Sequence, residues 1–425
     1  MNTKSAPINS VDMDNIPFKG DLNRSGIFQT AGVQKLRGIK WKLQTGNRIF
    51  SSPVIFGDSV FIGSDDSKLY SINKFNGEIN WEFQTEGPVK SSVAIENGLV
   101  YFTSLDGCFY AINIDTGIEK WRFQTKGEKT LDPWDYFLST PACFNGNVYF
   151  GSGDNHIYAL DGITGEEIWK YKTDGSVHAS PTIYKETLYI GSFDGYFYAL
   201  DVHTGAEKWK FRTIGDTWFP RGDIQGTACV SDGIVYFGSR DYNLYALDAE
   251  TGRGKWNFKA PGTWIITTPT VHDGLVYFAT SDDSQLYAMD AKNGDLKWSF
   301  PLEINTFGSS VIAGDLLYVG NMNGKLYALN KENAEQQWLF QTESSKNNEN
   351  KVLQQDGRLA LPLKQKLEHA RTIQDFVEVY DEIMSLGSFV STPFIEDGTI
   401  YVGSTDGCLY ALDNYLQTLI FILKK

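Results

Sequence analysis

Residues 151–173 read GSGDNHIYALDGITGEEIWKYKT, and this stretch decides the fold. It contains the end of one strand, a tight Asp-Asn turn, a second strand, a D-G-I-T-G turn and a third strand that carries Trp169. Short segments rich in β-branched and aromatic side chains, separated by turns, are typical of consecutive antiparallel strands. Nearly the same arrangement recurs along the chain, so the stretch describes one copy of a repeating unit.

A tryptophan marks the copies. Eight tryptophans lie 40, 40, 48, 40, 47, 42 and 40 residues apart: Trp41, Trp81, Trp121, Trp169, Trp209, Trp256, Trp298 and Trp338. Most follow a tyrosine, a small residue and then an asparagine or aspartate. A glycine closes the next turn in six copies, at Gly77, Gly117, Gly165, Gly205, Gly252 and Gly294. The acid or amide can accept hydrogen bonds from its own turn, and glycine readily adopts a positive φ.

A unit of about 40 residues with four short strands, present eight times, predicts an all-β, eight-bladed β-propeller of four-stranded antiparallel blades. We assign it to residues 36–425, after an N-terminal tail over residues 1–35. The last copy, from Val390, has three strands and no tryptophan, whereas IKWKLQT at 39–45 brings Trp41 without preceding strands. Closure of the ring by the N-terminal strand explains both, because it removes an open sheet edge. Alternatively LIFILKK at 419–425, with Phe421 at the tryptophan position, supplies the outer strand.

The longest interruption of the repeat, residues 343–389, lies between blades 7 and 8. Its first part, SSKNNENK, is polar, and apolar residues then follow helical spacing from Leu363 to Met384. This pattern predicts one amphipathic helix that stops near Gly387. The helix either packs on the propeller as a lid or faces a partner.

The repeat resembles a known family. The pattern A-x-D-x-x-T-G-x-x-x-W, complete from Ala159 to Trp169, is similar to the tryptophan-docking repeat of the pyrroloquinoline-quinone (PQQ) propellers, and FKGDLNRSG at 18–26 resembles their N-terminal signature. The PQQ-like family includes quinoprotein dehydrogenases and the propeller lipoprotein of outer-membrane β-barrel assembly. The resemblance implies the propeller fold and leaves the function open, because one fold hosts many functions.

For the quinoprotein members, the resemblance implies PQQ over calcium beside a disulfide between adjacent cysteines. Here the four cysteines are scattered, at Cys108, Cys143, Cys229 and Cys408. The aspartates that recur at hairpins form no D-x-D-x-D-G loop, and turn chemistry explains them. The five histidines show no metal-binding spacing. We therefore predict no PQQ, no calcium and no other metal.

Composition narrows the partners. With 38 basic and 52 acidic residues the net charge is −14, which argues against nucleic acid as a ligand. The one strongly apolar end, LQTLIFILKK, is too short to span a membrane. The N-terminus shows no apolar leader, so we expect a cytoplasmic, monomeric propeller, or a periplasmic one if a leader has been removed.

Candidate site residues come from the connections between blades, because three further tryptophans fall there. The segments 126–138, 214–225 and 260–266 place aromatic and charged residues on one face of the predicted ring. The candidates are Trp134, Asp135, Tyr136, His178, Trp218, Phe219, Arg221, Asp223, Arg240 and Trp264. Exposed aromatics among a few charges are typical of binding surfaces. The alternative is that these loops fold inward and plug the channel.

Two classes of function follow. The first is a non-catalytic binding or scaffolding propeller that holds a protein or a small ligand on this face. The second is an enzyme, of lyase, cyclase or oxidoreductase type, in which Asp135, His178, Arg221 or Asp223 performs acid–base work. The two differ in geometry, since an enzyme needs a concave pocket with a perturbed titrating group.

Overall fold

The computed structural model describes residues 15–16, 18–348 and 351–414. Eight sheets surround a central axis, and the four consecutive strands of each blade are antiparallel neighbours. The innermost strand of every blade has three residues. The eight-bladed, four-stranded propeller predicted from the repeat is confirmed.

The strands of the first four blades, from the innermost outward, have the following bounds. Blade 1 contains Val54–Phe56, Ser59–Ser64, Lys68–Asn73 and Ile79–Gln84. Blade 2 contains Ala94–Glu96, Leu99–Thr103, Cys108–Asn113 and Glu119–Gln124. Blade 3 contains Ala142–Phe144, Asn147–Ser152, His156–Asp161 and Glu167–Lys172. Blade 4 contains Thr182–Tyr184, Thr187–Gly191, Tyr196–Asp201 and Glu207–Arg212.

The second half of the ring follows the same plan. Blade 5 contains Cys229–Ser231, Ile234–Gly238, Asn243–Asp248 and Gly254–Lys259. Blade 6 contains Thr270–His272, Leu275–Ala279, Gln285–Asp290 and Leu296–Pro301. Blade 7 contains Val311–Ala313, Leu316–Gly320, Lys325–Asn330 and Gln336–Gln341. Blade 8 contains Phe394–Glu396, Thr399–Gly403, Cys408–Asp413 and, outermost, Gly38–Gln44 from the N-terminal end.

The N-terminal strand therefore closes the ring, as predicted. Trp41 is paired with Ala411 across the antiparallel ladder between Gly38–Gln44 and Cys408–Asp413. The alternative outer strand around Phe421 lies outside the described residues.

Each repeat tryptophan joins its blade to the next one. The Trp41 indole nitrogen donates to the Lys74 carbonyl at 3.0 Å, and a Cβ placed on Gly77 would lie 2.8 Å from the indole ring. The same carbonyl acceptor and close glycine recur for Trp81, Trp121, Trp169, Trp209 and Trp256. The turn glycine is thus needed both for its positive φ and for the close approach of the indole.

Blade 7 departs from this rule. Ala334 occupies the turn position of the glycine and has a φ of 62°, a left-handed conformation that is unfavourable for a residue with a Cβ. The tryptophan that would dock there, Trp298, has a buried indole nitrogen without a hydrogen-bond partner. The absence of a glycine therefore coincides with the loss of the docking hydrogen bond.

The insertion is helical, but the helix predicted from Leu363 to Met384 is broken in two. The structure has α1 (Glu343–Asn347), α2 (Leu361–Glu368) and α3 (Ile373–Met384). The prediction of one helix was wrong because Thr372 starts a new helix: its hydroxyl and the Asp375 carboxylate form a reciprocal capping box. Gly387, with a φ of 77°, follows the end of α3.

The N-terminal segment crosses one end of the central channel. Asn15–Ile16 pairs with the inner strand of blade 2, a 3₁₀ turn spans Phe18–Gly20, and Ile27–Phe28 runs parallel to the inner strand of blade 7. We call residues 18–28 the floor segment. It lies opposite the face that carries the long loops.

Candidate functional site

The long inter-blade connections and the hairpins between second and third strands share one face, which we call the loop face. At the hairpin of blade 2, the Asp106 carboxylate accepts from the Glu86 backbone amide at 3.0 Å and from the Tyr110 hydroxyl at 2.8 Å. Equivalent aspartates make the same pair of contacts in blades 1, 3 and 4. These recurring acids therefore fasten the loops, in agreement with their interpretation as structural turn residues.

The channel is narrow and lined by hydroxyl groups. Seven of the eight inner-strand hydroxyls that line it each accept a backbone N–H from the preceding blade, at 2.8–3.3 Å; the seven acceptors are Ser52, Ser92, Thr140, Ser180, Thr227, Ser309 and Thr392. Together with Thr268 they surround a cavity of about 40 Å³. One water needs about 10–15 Å³ of such space, so this cavity has room for a few water molecules.

The floor segment closes the channel with two buried cations. The Lys19 ammonium donates to the carbonyls of Thr268 and Pro269 and to the Thr270 hydroxyl, at 2.9–3.1 Å. The Arg24 guanidinium donates to the carbonyls of Pro141 and Pro181 at 3.0–3.2 Å. Burial lowers the pKa of Lys19 to about 7 and that of Arg24 to about 10. Carbonyl dipoles of the inner strands, in place of carboxylates, hold both charges.

On the loop face, Trp134 and Trp264 belong to one aromatic cluster that α3 covers. Their ring centroids lie 5.8 Å apart, and Trp134 also packs edge-on against Phe376 and Tyr380 of α3, at 5.5 and 5.9 Å. Phe219 contacts Trp264 at 5.1 Å. These two tryptophans therefore pack beneath the insertion, which covers them as a lid.

Trp218 is different. Its side chain is 80% exposed, the largest exposure among the large apolar residues of the described chain. The loop that carries it is fixed: the Asp216 amide donates to the Phe219 carbonyl at 3.0 Å, and Lys259 pairs with the Asp216 carboxylate at 2.9 Å. The loop therefore presents Trp218 to solvent from a rigid turn.

Beneath the cluster lies a buried ionic triad. His178 Nδ1 lies 2.8 Å from an Asp135 carboxylate oxygen, and Nε2 lies 3.2 Å from Glu128. Burial alone lowers the pKa of His178, but the two carboxylates outweigh it and raise this pKa to about 10. The imidazolium is therefore held charged and enclosed, with both ring nitrogens engaged. Tyr136, which follows Asp135 in the chain, is also buried, and its ring stacks on that of Phe50.

Arg240, another of the predicted site residues, contacts polar side chains on one side and the aromatic cluster on the other. It is buried, pairs with both oxygens of Asp132, and donates to the Gln225 side chain at 2.7 Å. Its guanidinium carbon lies 4.6 Å from the Trp264 ring centroid. Asp223 lies nearby with one oxygen unpartnered, and burial raises its pKa. Arg221 is exposed on the rim. The ten predicted residues thus lie on one face, in separate buried and exposed groups.

One pocket opens on this face. It has a volume of about 400 Å³ and lies between α3 and the connections that precede blades 1, 2 and 3. Its charged lining residues are Arg48, Asp65, Lys90, Asp132, Asp135 and Asp381, and its main apolar ones are Phe50, Tyr136, Val377, Tyr380 and Met384. Of these, only Asp135 and Tyr136 were candidates from the sequence.

Two of the missed residues, Phe50 and Lys90, carry a signal that an alignment of the repeats reveals. Each blade contributes one serine or threonine hydroxyl to the lining of the channel. The residue two positions before it differs from blade to blade, in a repeat that is otherwise regular. These residues are Phe50, Lys90, Leu138, His178, Gln225, Ile266, Phe307 and Val390. They surround the loop-face mouth of the channel. The pocket residues of α3, by contrast, depend on long-range packing that no repeat can encode.

The fold and this face define a PQQ-like propeller. The family model described as "Outer membrane protein assembly factor BamB" matches residues 33–133, 129–222 and 220–362. The chain therefore belongs to this BamB-like family of PQQ-like propellers. No curated protein matches the sequence.

Solved structures share the fold at low identity. BamB from Moraxella catarrhalis is 18% identical, with 88% of this chain and 97% of that chain covered and a TM-score of 0.65. A europium-containing methanol dehydrogenase is 14% identical, with 95% and 98% covered and a TM-score of 0.72. The quinohemoprotein alcohol dehydrogenase from Comamonas testosteroni is 15% identical, with 93% and 80% covered and a TM-score of 0.71. These likenesses concern the fold alone.

The channel offers little space at the axis for a quinone held over calcium. The axial cavity of about 40 Å³ has room for only a few water molecules. The four cysteines lie on four different blades. In the described part of the chain, no three His, Cys, Asp or Glu side chains are grouped as metal ligands. Over the same residues, no helix is both long and apolar enough to cross a bilayer.

Proposed function

We propose that this propeller is a non-catalytic binding module that holds a protein partner on its loop face. The observation that carries the proposal is Trp218, which is 80% exposed on a turn fixed by hydrogen bonds and an ion pair. Because the backbone of the turn is already fixed, little backbone entropy is lost when the tryptophan it carries inserts into a partner. Tryptophan is also among the residues that most often dominate interface energetics.

The kinship with an assembly factor supports a protein as the partner. The matching family model is described as the outer membrane protein assembly factor BamB. An assembly factor for proteins acts through contacts with other proteins. The charge of −14 disfavours a nucleic acid in the same place. The monomeric state and the cytoplasmic location expected from the sequence stay predictions.

The enzyme alternative has weaker support. The histidine nearest the pocket, His178, is enclosed between Asp135 and Glu128, and its pKa of about 10 leaves it protonated at neutral pH, unable to act as a base. Asp223 has a raised pKa but lies apart from the triad residues. The lack of room at the axis equally supports the proposal that the protein works without PQQ. Added PQQ with calcium should leave its melting temperature unchanged.

Comparative co-purification tests the proposal. Tagged wild-type protein, Trp218→Ala and Phe75→Ala would be recovered from cells of the native host, and bound proteins quantified by mass spectrometry. Phe75 is the matched control because it is 55% exposed but lies in a turn on the opposite face. We expect at least one protein to be retained by wild type and Phe75→Ala and depleted about tenfold or more with Trp218→Ala. Identical protein sets for all three forms would contradict the proposal.

A further inference from the structure

We infer that the 400 Å³ pocket of the loop face is a site for an alkylammonium group. The group belongs either to a lysine side chain of the partner or to a free aliphatic amine. The lysine form rests on the proposed function, whereas the free-amine form stands without it.

Two carboxylate oxygens in the pocket lack donors. Asp135 has a fully buried side chain; one oxygen accepts from His178 and from the Leu131 amide, and the other, Oδ1, has no partner. Asp65, which also lines the pocket, likewise has a buried Oδ1 without a partner. A buried acceptor left without a donor is destabilising. An N–H donor that reached either oxygen would relieve this cost.

The pocket already holds one ammonium group of the chain itself. Lys90 Nζ lies 4.9 Å from the Phe50 ring centroid and 3.9 Å from Asp65 Oδ2. Phe50 in turn stacks on Tyr136, with centroids 5.3 Å apart and planes only 5° from parallel. Aromatic faces next to carboxylates are the usual environment for protein-bound ammonium groups. The walls therefore already provide contacts of the kind that an ammonium group makes.

The other charges of the pocket are engaged with one another. Arg48 pairs with Asp381 of α3 at 2.7 Å, and Asp132 pairs with Arg240. The groups left to meet a ligand are thus the acceptors Asp65 and Asp135, with the Lys90 ammonium beside Asp65. Four aspartates and two basic residues line the pocket, so the balance of charge disfavours an anionic ligand. The remaining wall, formed by Tyr380 and Met384, suits an alkyl chain.

Saturation-transfer NMR with three probes tests the inference. The probes are cadaverine, the neutral analogue n-pentanol, and the peptide N-acetyl-Gly-Lys-Gly-amide. We expect cadaverine to bind the wild-type protein, and Asp65→Asn to weaken it about tenfold through loss of a charge-assisted hydrogen bond. Lys90→Met should strengthen binding, because it removes the competing ammonium and leaves Asp65 for the ligand. A variant that merely damages the fold would not bind more tightly. Asp58→Asn, on the opposite face, is the matched control.

The outcomes separate the sources of the group. Binding of both cadaverine and the peptide supports a partner lysine, and binding of cadaverine alone supports a free amine. Equal binding of n-pentanol, no binding of any probe, or affinities unchanged by both Asp65→Asn and Lys90→Met would overturn the inference. Trp218→Ala should leave cadaverine binding intact. Loss of partner binding in that variant therefore reports on the proposed function, and cadaverine reports on the pocket.

Discussion

Trp41 lies opposite Ala411 in the outer ladder of blade 8, so residues from the two ends of the chain share one sheet. The indole is 8% exposed, packs 5.8 Å from Tyr401, and donates to the Lys74 carbonyl of blade 1. The side chain of this N-terminal strand residue therefore contacts both the last blade and the first blade. Ring closure depends on this contact.

Replacing Trp41 with alanine should lower the free energy of unfolding by ~3–5 kcal/mol, as for other buried tryptophans. Trp169→Ala, in the middle of the ring with the same 8% exposure, is the control. Hydrogen exchange separates them: Trp41→Ala should speed exchange first in residues 408–413, and Trp169→Ala in blade 3. Unchanged exchange at 408–413 would contradict closure by this strand.

Ala334→Gly should stabilise the protein. The substitution relieves the left-handed φ of 62° and gives Trp298 the same turn residue that the other docked tryptophans contact. We expect a gain of ~1 kcal/mol, measured by urea unfolding. Gly77→Ala is the reverse control and should destabilise, since its Cβ would lie 2.8 Å from Trp41. A stability loss in Ala334→Gly would show that this turn does not follow the docking rule.

The pH dependence of stability should report the buried Lys19. Burial lowers its pKa in the folded protein to about 7, below the ordinary value of 10.5. Between these values the unfolded chain binds more protons, so the Lys19 contribution to stability rises with pH from about 7 to 10.5. The slope is at most about 1.4 kcal/mol per pH unit.

Lys19→Met removes this titration. The difference in unfolding free energy between wild type and the variant, measured from pH 6.5 to 9, should shift in favour of wild type as pH rises. Taking the difference cancels the tyrosine, cysteine and histidine titrations that the two proteins share. A difference independent of pH would mean that Lys19 stays charged in the folded protein.

Trp218 and Trp264 should respond differently to truncation. Trp218→Ala should change the unfolding free energy by no more than about 0.5 kcal/mol, as exposed substitutions do. Trp264→Ala should cost several times as much, because its ring contacts Trp134, Phe219 and Arg240. Urea unfolding of both variants measures this. Equal large losses would show that the Trp218 loop is packing rather than a binding surface.

The fold could be predicted because the repeat states the same physical requirements eight times. A tryptophan, a turn acid and a glycine at fixed spacing leave few alternatives to blades in a ring. The break between α2 and α3 was also visible in principle, since Thr372 and Asp375 have the spacing of a capping box. The apolar periodicity across the break concealed it.

The site was harder to predict. Lys19 and Arg24 are charged residues that the sequence alone assigns to a surface, yet both are buried, because inner-strand carbonyls around the axis supply their acceptors. Trp134 and Trp218 look alike in sequence, and only the position of α3 distinguishes the covered one from the exposed one. Such differences arise from contacts between segments far apart in the chain.

Site-specific photocrosslinking tests the central claim most directly. A benzophenone amino acid would replace Thr217, the exposed neighbour of Trp218, in one form and Phe75, on the opposite face, in another, each expressed in the native host and irradiated. We expect a discrete protein adduct from position 217 and none of that mass from position 75. If position 217 yields no adduct, or both positions yield the same adducts, the loop face is not the partner-binding surface of this propeller.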